Sequence, residues 1–402
     1  MIRQLATYPL RAGKKQARRL INHVLIKKRV SEFSSAEEDI WDRVGKASSR
    51  AMDFLEARNF HRDDAMDKRH EYRYSAGSTR PTLYSSAYAC MITSLLGKFS
   101  SSDGREKQGW LAHFDAHQNS NDGSFFDPVV NNEHFADSDW WGGRHLALHM
   151  ISAYTALGEV PRTPFGFLEQ YYDINRTRNW LDACDWSSSI GHEDDIDNKI
   201  MNIACLMQYQ RDQWDDEKAA KAVDFFQDYL LEKINPGTGM WGKWDTSNPH
   251  HLSRMVQFAY HLYPLFLYDG KDLPNMNEVI SLTLQTQNRY GGFGAYSNSS
   301  ACEDIDSIDI LCRFGHLEPS RKQEIDKTLM TAAEWVLCNQ VEDGGFVFRL
   351  HEPLVYGHQE MASGRNEGAL FPTWFRLLSL AYLARYFGQE QFVINRAPGL
   401  EF

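Results

Sequence analysis

Glu303, Asp304 and Asp306 lie within one turn's length of each other, at the head of an apolar helical run that follows Gly291-Gly292-Phe293. Carboxyls so crowded repel one another when ionised, so one of them can be held protonated and serve as a general acid. Acids also suit a helix start for a simpler reason, because the free N–H groups and the macrodipole favour negative charge there. What sets this cluster apart is that polar and aromatic groups recur at the other helix starts. They are Trp141, Arg144 and His145; His192, Asp194 and Asp195; Trp241, His250, His251 and Arg254; Tyr296 beside the acids; and His358, Arg365 and Glu367. Brought to one hollow, such groups could donate and accept protons and hold a small-molecule substrate. Each also has an ordinary role. Asp194-Asp195 can be a helix-start charge pair, His250-His251 surface residues at a turn, and Trp241 turn packing. Asp309, four residues before Arg313, reads as a helix-face ion pair.

The elements that would position these residues are helical. From residue 36 the chain alternates between two kinds of segment. Residues 36–58, 104–118, 164–183, 216–234, 274–289 and 320–340 are amphipathic, several opening at Pro or Asp. Residues 82–97, 141–158, 195–210, 250–266, 304–317 and 367–387 are apolar nearly all round, as helices buried on both sides are. Gln- and Gly-marked turns ending in an aromatic separate them, as in Gln118–Phe125, Gln287–Phe293 and Gln340–Phe346. A period of about 50–60 residues signals a repeat architecture. Six outer and six inner helices most economically close into a ring, which buries the inner set without terminal caps. The expectation is an all-α protein, an (α/α)6 toroid over residues 36–402, with the inner-helix N-termini meeting at one mouth.

Composition bounds the partners. The formal net charge of −11 argues against nucleic acid. Residues 1–30 reverse that trend with nine Lys/Arg and no acid. Residues 1–35 therefore read as a basic amphipathic arm, and residues 1–30 as a point of peripheral contact with a membrane or another acidic surface. No apolar run reaches transmembrane length and no signal-peptide core is present. The six cysteines form no CxxC and fit buried thiols of a cytoplasmic protein.

Gly291-Gly292-Phe293, then Asp304-Ile305-Asp306 opening an inner helix, resembles the acid motif of class II terpenoid cyclases, squalene–hopene cyclase among them. The Gln-to-aromatic turns resemble the glutamine–aromatic repeats of that superfamily, whose α/α toroid the protein prenyltransferase β-subunits share. The resemblance implies that Asp306 is the general acid that protonates an alkene or epoxide of an isoprenoid or lipid-linked substrate. Asp304 would be the first aspartate of the motif, with Glu303 adding negative charge. The pattern departs at Ser307, where a further aspartate is usual, and at Ile308-Asp309. The prenyltransferase zinc set is not matched, since Ile308 stands where its cysteine would be. No metal and no cofactor are expected.

Two other readings stay open. The Asp, Glu, His, Arg and Trp of the mouth would equally suit a carbohydrate-active enzyme, a glycoside hydrolase or polysaccharide lyase, with Asp306 opposed by Asp195 or Glu367. A non-catalytic toroid that binds a peptide or lipid is the third, because fold does not dictate function.

Overall fold

A computed structural model of the chain describes residues 22–33, 38–60, 70–99, 104–130, 142–186 and 196–399. Twelve principal helices alternate along it: α1 (Ile40–Arg58), α2 (Leu83–Leu95), α3 (Gly104–Asp115), α4 (Gly143–Leu157), α5 (Ile174–Ala183), α6 (Ile196–Trp214), α7 (Glu217–Lys233), α8 (Pro249–Leu262), α9 (Met276–Gln285), α10 (Ala301–Phe314), α11 (Lys322–Cys338) and α12 (Leu370–Tyr386). Burial separates the two sets. Every residue of α2 is buried, whereas α1 buries only the stripe Val44, Ala47, Ala51, Phe54 and Leu55. The even-numbered helices pack in cyclic order, α2 on α4, α4 on α6, α6 on α8, α8 on α10, α10 on α12 and α12 back on α2. That last contact closes the ring, so the protein is an (α/α)6 toroid. Among the described residues, sheet is confined to the two-residue strands Leu354–Val355 and Ala362–Ser363.

Local chemistry explains where boundaries depart from the hydrophobic pattern. Helix α10 begins at Ala301 because Ser300 and Glu303 form a reciprocal capping box. Helix α8 stops at Leu262, and Pro264, which lacks an N–H, opens a separate turn, Pro264–Leu267. The outer segment expected over 164–183 is divided. A 3₁₀ turn, Gly166–Tyr171, precedes α5, which Asp173 caps through the N–H groups of Asn175 and Arg176.

The Gln-to-aromatic turns are staples between outer helices. Gln340, after α11, donates from Nε2 to the carbonyls of Ala47 in α1 and Gly344, both at 2.8 Å. Gln287, after α9, reaches Thr328 in α11 at 2.9 Å and Gly291 at 3.0 Å. Gln118 does the same to Thr163 at 2.8 Å. Each glutamine also bridges to the phenylalanine that ends its turn, Phe125, Phe293 or Phe346. Gly291, at φ +96°, is required, because a Cβ there would sit 2.5 Å from the Thr331 carbonyl oxygen. Gln340→Ala is expected to cost about 1–3 kcal/mol, as it removes two buried hydrogen bonds that tie the turn to α1. Urea unfolding of the two proteins measures the difference.

Residues 22–33 form a helix laid against the end of α11. Ile26 is buried with Trp335, Val341, Val347 and Leu350. Arg29 donates to the carbonyls of Gln340 at 2.7 Å and Cys338 at 3.3 Å, satisfying groups at the helix C-terminus. The opposite edge leaves Val24 and Leu25 exposed. No helix among the described residues is long and apolar enough to cross a membrane.

Candidate active site

A cavity of about 650 Å³ lies within the ring. Its walls come from α4, α6, α8, α10 and α12 and from the 348–356 connection that precedes α12. Phe348, Tyr356, Phe371 and Phe375 make an aromatic wall, Tyr356 lying on Phe371 with ring centroids 4.2 Å apart. His145, His149, Tyr260, Arg254 and His261 face the same space, with His250 and Tyr296 packed edge to face at 4.9 Å.

Asp306 is the distinctive group on this wall. It is 1% exposed, and its Oδ2 is buried with no hydrogen-bond partner. Burial pushes its carboxyl well above the usual carboxylate range; Glu303 raises it further, against the opposing pull of Arg254. A carboxyl so placed holds its proton to higher pH than an exposed aspartate does. Glu303 is held differently. Its Oε2 accepts from the Ser300 N–H at 2.8 Å and pairs with Arg349 at 2.8 Å.

Asp304 faces away from the hollow. Its Oδ1 accepts from the Phe293 N–H at 2.8 Å, and its Oδ2 accepts from Trp335 Nε1 at 2.9 Å and from the fully buried Arg376 guanidinium. Its counterpart is Thr373, also the fourth residue of its helix, whose hydroxyl accepts from the Phe346 N–H at 2.9 Å. Asp304 thus fixes a Gln-to-aromatic turn onto α10, and the cavity-facing acid comes two residues later.

Another described acid near the hollow is charge-paired. Asp197, fully buried on α6, receives both Arg254 nitrogens at 2.8 Å and His261 Nδ1 at 2.8 Å. Burial alone would raise its pKa, but Arg254 and His261 outweigh that and hold it at about 2.

Of the residues expected at the site, the structure brings His145, His250, Arg254, Tyr296, Glu303 and Asp306 to one cavity. It places others elsewhere. Trp241 is a core residue, 0% exposed, donating to the Leu230 carbonyl at 2.8 Å. Arg144 turns to the Tyr171 hydroxyl, outside the cavity wall. His251 packs edge-on against Trp244. His358 caps the turn Gln359–Met361, Arg365 is exposed, and Glu367 accepts from the Gly77 N–H at 2.7 Å to tie two loops together. Trp141, His192, Asp194 and Asp195 lie outside the described residues. Sequence reasoning passed over His149, Phe371 and Phe375. For His149 a signal existed, since it follows His145 by four residues and shares its helix face. Among the described residues no group of His, Cys, Asp and Glu is arranged to hold a metal ion.

An all-α ring of paired helices around an aromatic, acid-bearing hollow is the class that these features define. No family model matches the chain, and a search of curated proteins finds no relative. Solved structures do resemble it. A type II terpene cyclase from Scytonema, in complex with geranylgeranyl dihydroxybenzoate, aligns over 86% of this chain and 99% of its own at 12% identity and a TM-score of 0.47. An unsaturated glucuronyl hydrolase from Streptococcus agalactiae aligns over 90% and 96% at 14% identity and 0.48. A polysaccharide lyase aligns over 85% and 99% at 12% identity and 0.40. The likeness to terpenoid cyclases expected from the acid motif is present among them.

Proposed function

We propose that this protein is an acid-initiated enzyme in which Asp306 protonates a carbon–carbon double bond of an isoprenoid held in the cavity. The observation that carries the reading is the buried Asp306 carboxyl, with one oxygen unpartnered, on a wall it shares with aromatic rings. Protonating an alkene needs a neutral acid away from water, and desolvation supplies it. The cation formed needs stabilisation without a nucleophile, which the faces of Phe348, Tyr356, Phe371 and Phe375 can give.

The glycan reading is less favoured. Glycoside hydrolysis takes two carboxyls on opposite sides of a sugar. Among the described residues the cavity-lining acids are Glu303 and Asp306, three residues apart on one helix, with Glu303 paired to Arg349. Residues 22–33 add support for a lipid substrate, because exposed Val24 and Leu25 beside Lys27 and Lys28 offer a basic, apolar edge to an anionic bilayer.

The test is incubation in D₂O with squalene, a geranylgeranylated phenol and geranylgeranyl diphosphate. The expected product is a cyclised isomer carrying one deuterium at the carbon first protonated. No conversion of any of the three, with turnover of an unsaturated uronic disaccharide instead, would overturn the proposal.

A further inference from the structure

We infer that His149 is the base that ends this reaction, so that the product leaves as an olefin rather than as an alcohol; the inference rests on the acid-initiated reading of Asp306. Helices α4 and α10 are three steps apart in either direction around the ring of six, so His149 and Asp306 line the cavity from opposite sides.

The protein fixes the tautomer of this imidazole. His149 Nδ1 lies 2.8 Å from the His145 carbonyl oxygen, to which it can only donate, leaving Nε2 as the basic atom. Its ring is 2% exposed and sits edge-on to Tyr88, at 5.2 Å between centroids, and to Trp374, at 5.6 Å. Burial holds its pKa at about 4, so it is neutral and able to take a proton at neutral pH. Of the other candidates along the wall, His250 is exposed to water and the rest are engaged. The Tyr84 hydroxyl lies 3.2 Å from the Gly142 carbonyl oxygen and 2.9 Å from His145 Nδ1, while the Tyr356 hydroxyl lies 3.4 Å from His145 Nε2. His261 is bound to Asp197, and Glu303 to Arg349.

The step balances without a further reagent. The Asp306 proton adds to one alkene carbon, and internal double bonds close new carbon–carbon bonds onto the resulting cation. A carbon beside the final cationic centre then gives up its proton to His149 Nε2, and that C–H electron pair becomes the new double bond. The imidazolium releases its proton to solvent and the Asp306 carboxylate regains one, so the net change is isomerisation. A neutral imidazole at a dry wall takes this proton before water can add to the cation.

His149→Asn and His149→Phe test the assignment. Asn keeps an N–H for the His145 carbonyl and Phe keeps a ring among Tyr88 and Trp374; neither has a basic nitrogen. Full-chain variants are compared with wild type by thermal midpoint, by substrate consumed and by product identity. Substrate consumption is expected to fall, and it is read separately from product identity because initiation belongs to Asp306. The single wild-type olefin is expected to give way to a mixture dominated by shifted double bonds and water-capture alcohols. The same single olefin from both variants would overturn the role of His149 alone. Absence of any isoprenoid consumption by wild type would instead overturn the acid-initiated reading, and His149 with it.

Discussion

Asp306→Asn is expected to lower turnover by about 10²–10⁴-fold while making the protein more stable at neutral pH. The two effects share one cause. Burial raises the Asp306 pKa well above that of an aspartate in the unfolded chain. The folded state therefore holds this proton to higher pH than the unfolded state does. The contribution of Asp306 to stability is fully present below the unfolded-state pKa and is lost as pH rises toward the folded value. Asn carries no such pH dependence and fits the same space, so the thermal midpoint of the variant should exceed that of wild type, by more as pH rises. Turnover by wild type should fall as pH approaches the folded pKa, because the donor is then lost. Measuring both across pH checks the pair; an Asp306→Asn protein that keeps wild-type turnover would remove this carboxyl from the chemistry.

Arg376→Ala is expected to destabilise the fold by about 3–5 kcal/mol, the usual consequence of removing one member of a buried ion pair. Arg376 is 0% exposed and meets the equally buried Asp304 carboxylate, and its Nη2 also donates to the Phe348 carbonyl at 3.2 Å. Its loss leaves an uncompensated charge between α10 and α12, beside Phe293 and Trp335. Asp304→Asn should show a milder form of the same defect. Its thermal midpoint should fall while turnover per folded molecule stays far closer to wild type than that of Asp306→Asn. Urea unfolding gives the first quantity and active-site-normalised rates the second. Equal loss of turnover in the two aspartate variants would show that Asp304 shares the proton chemistry.

The ring was legible because its determinants are local. Inner helices are apolar all round, outer helices carry one stripe, and each Gln-to-aromatic turn repeats the same staple. The acid cluster was legible as a cluster, and the resemblance singled out Asp306 within it, but the structural task of Asp304 was not legible. Which of Asp304 and Asp306 faces the hollow depends on Arg376, 72 residues away in a run otherwise apolar, and on the register that aligns Asp304 with Thr373. Rim and core are also hard to separate in a toroid, since both take indoles. Trp241 has the neighbours of a mouth residue yet fills the space under the Leu230 carbonyl. His149 was obscured for the converse reason, sitting among apolar residues of α4 that hide its shared face with His145.

The protonation state of Asp306 in the resting protein tests the central claim most directly. An infrared difference spectrum between wild type and Asp306→Asn at neutral pH should contain the C=O band of a neutral carboxylic acid, shifted on transfer to D₂O. A difference spectrum holding only carboxylate bands would mean that the cavity contains an ionised aspartate, which cannot deliver a proton to an alkene, and the account would fail at its first step.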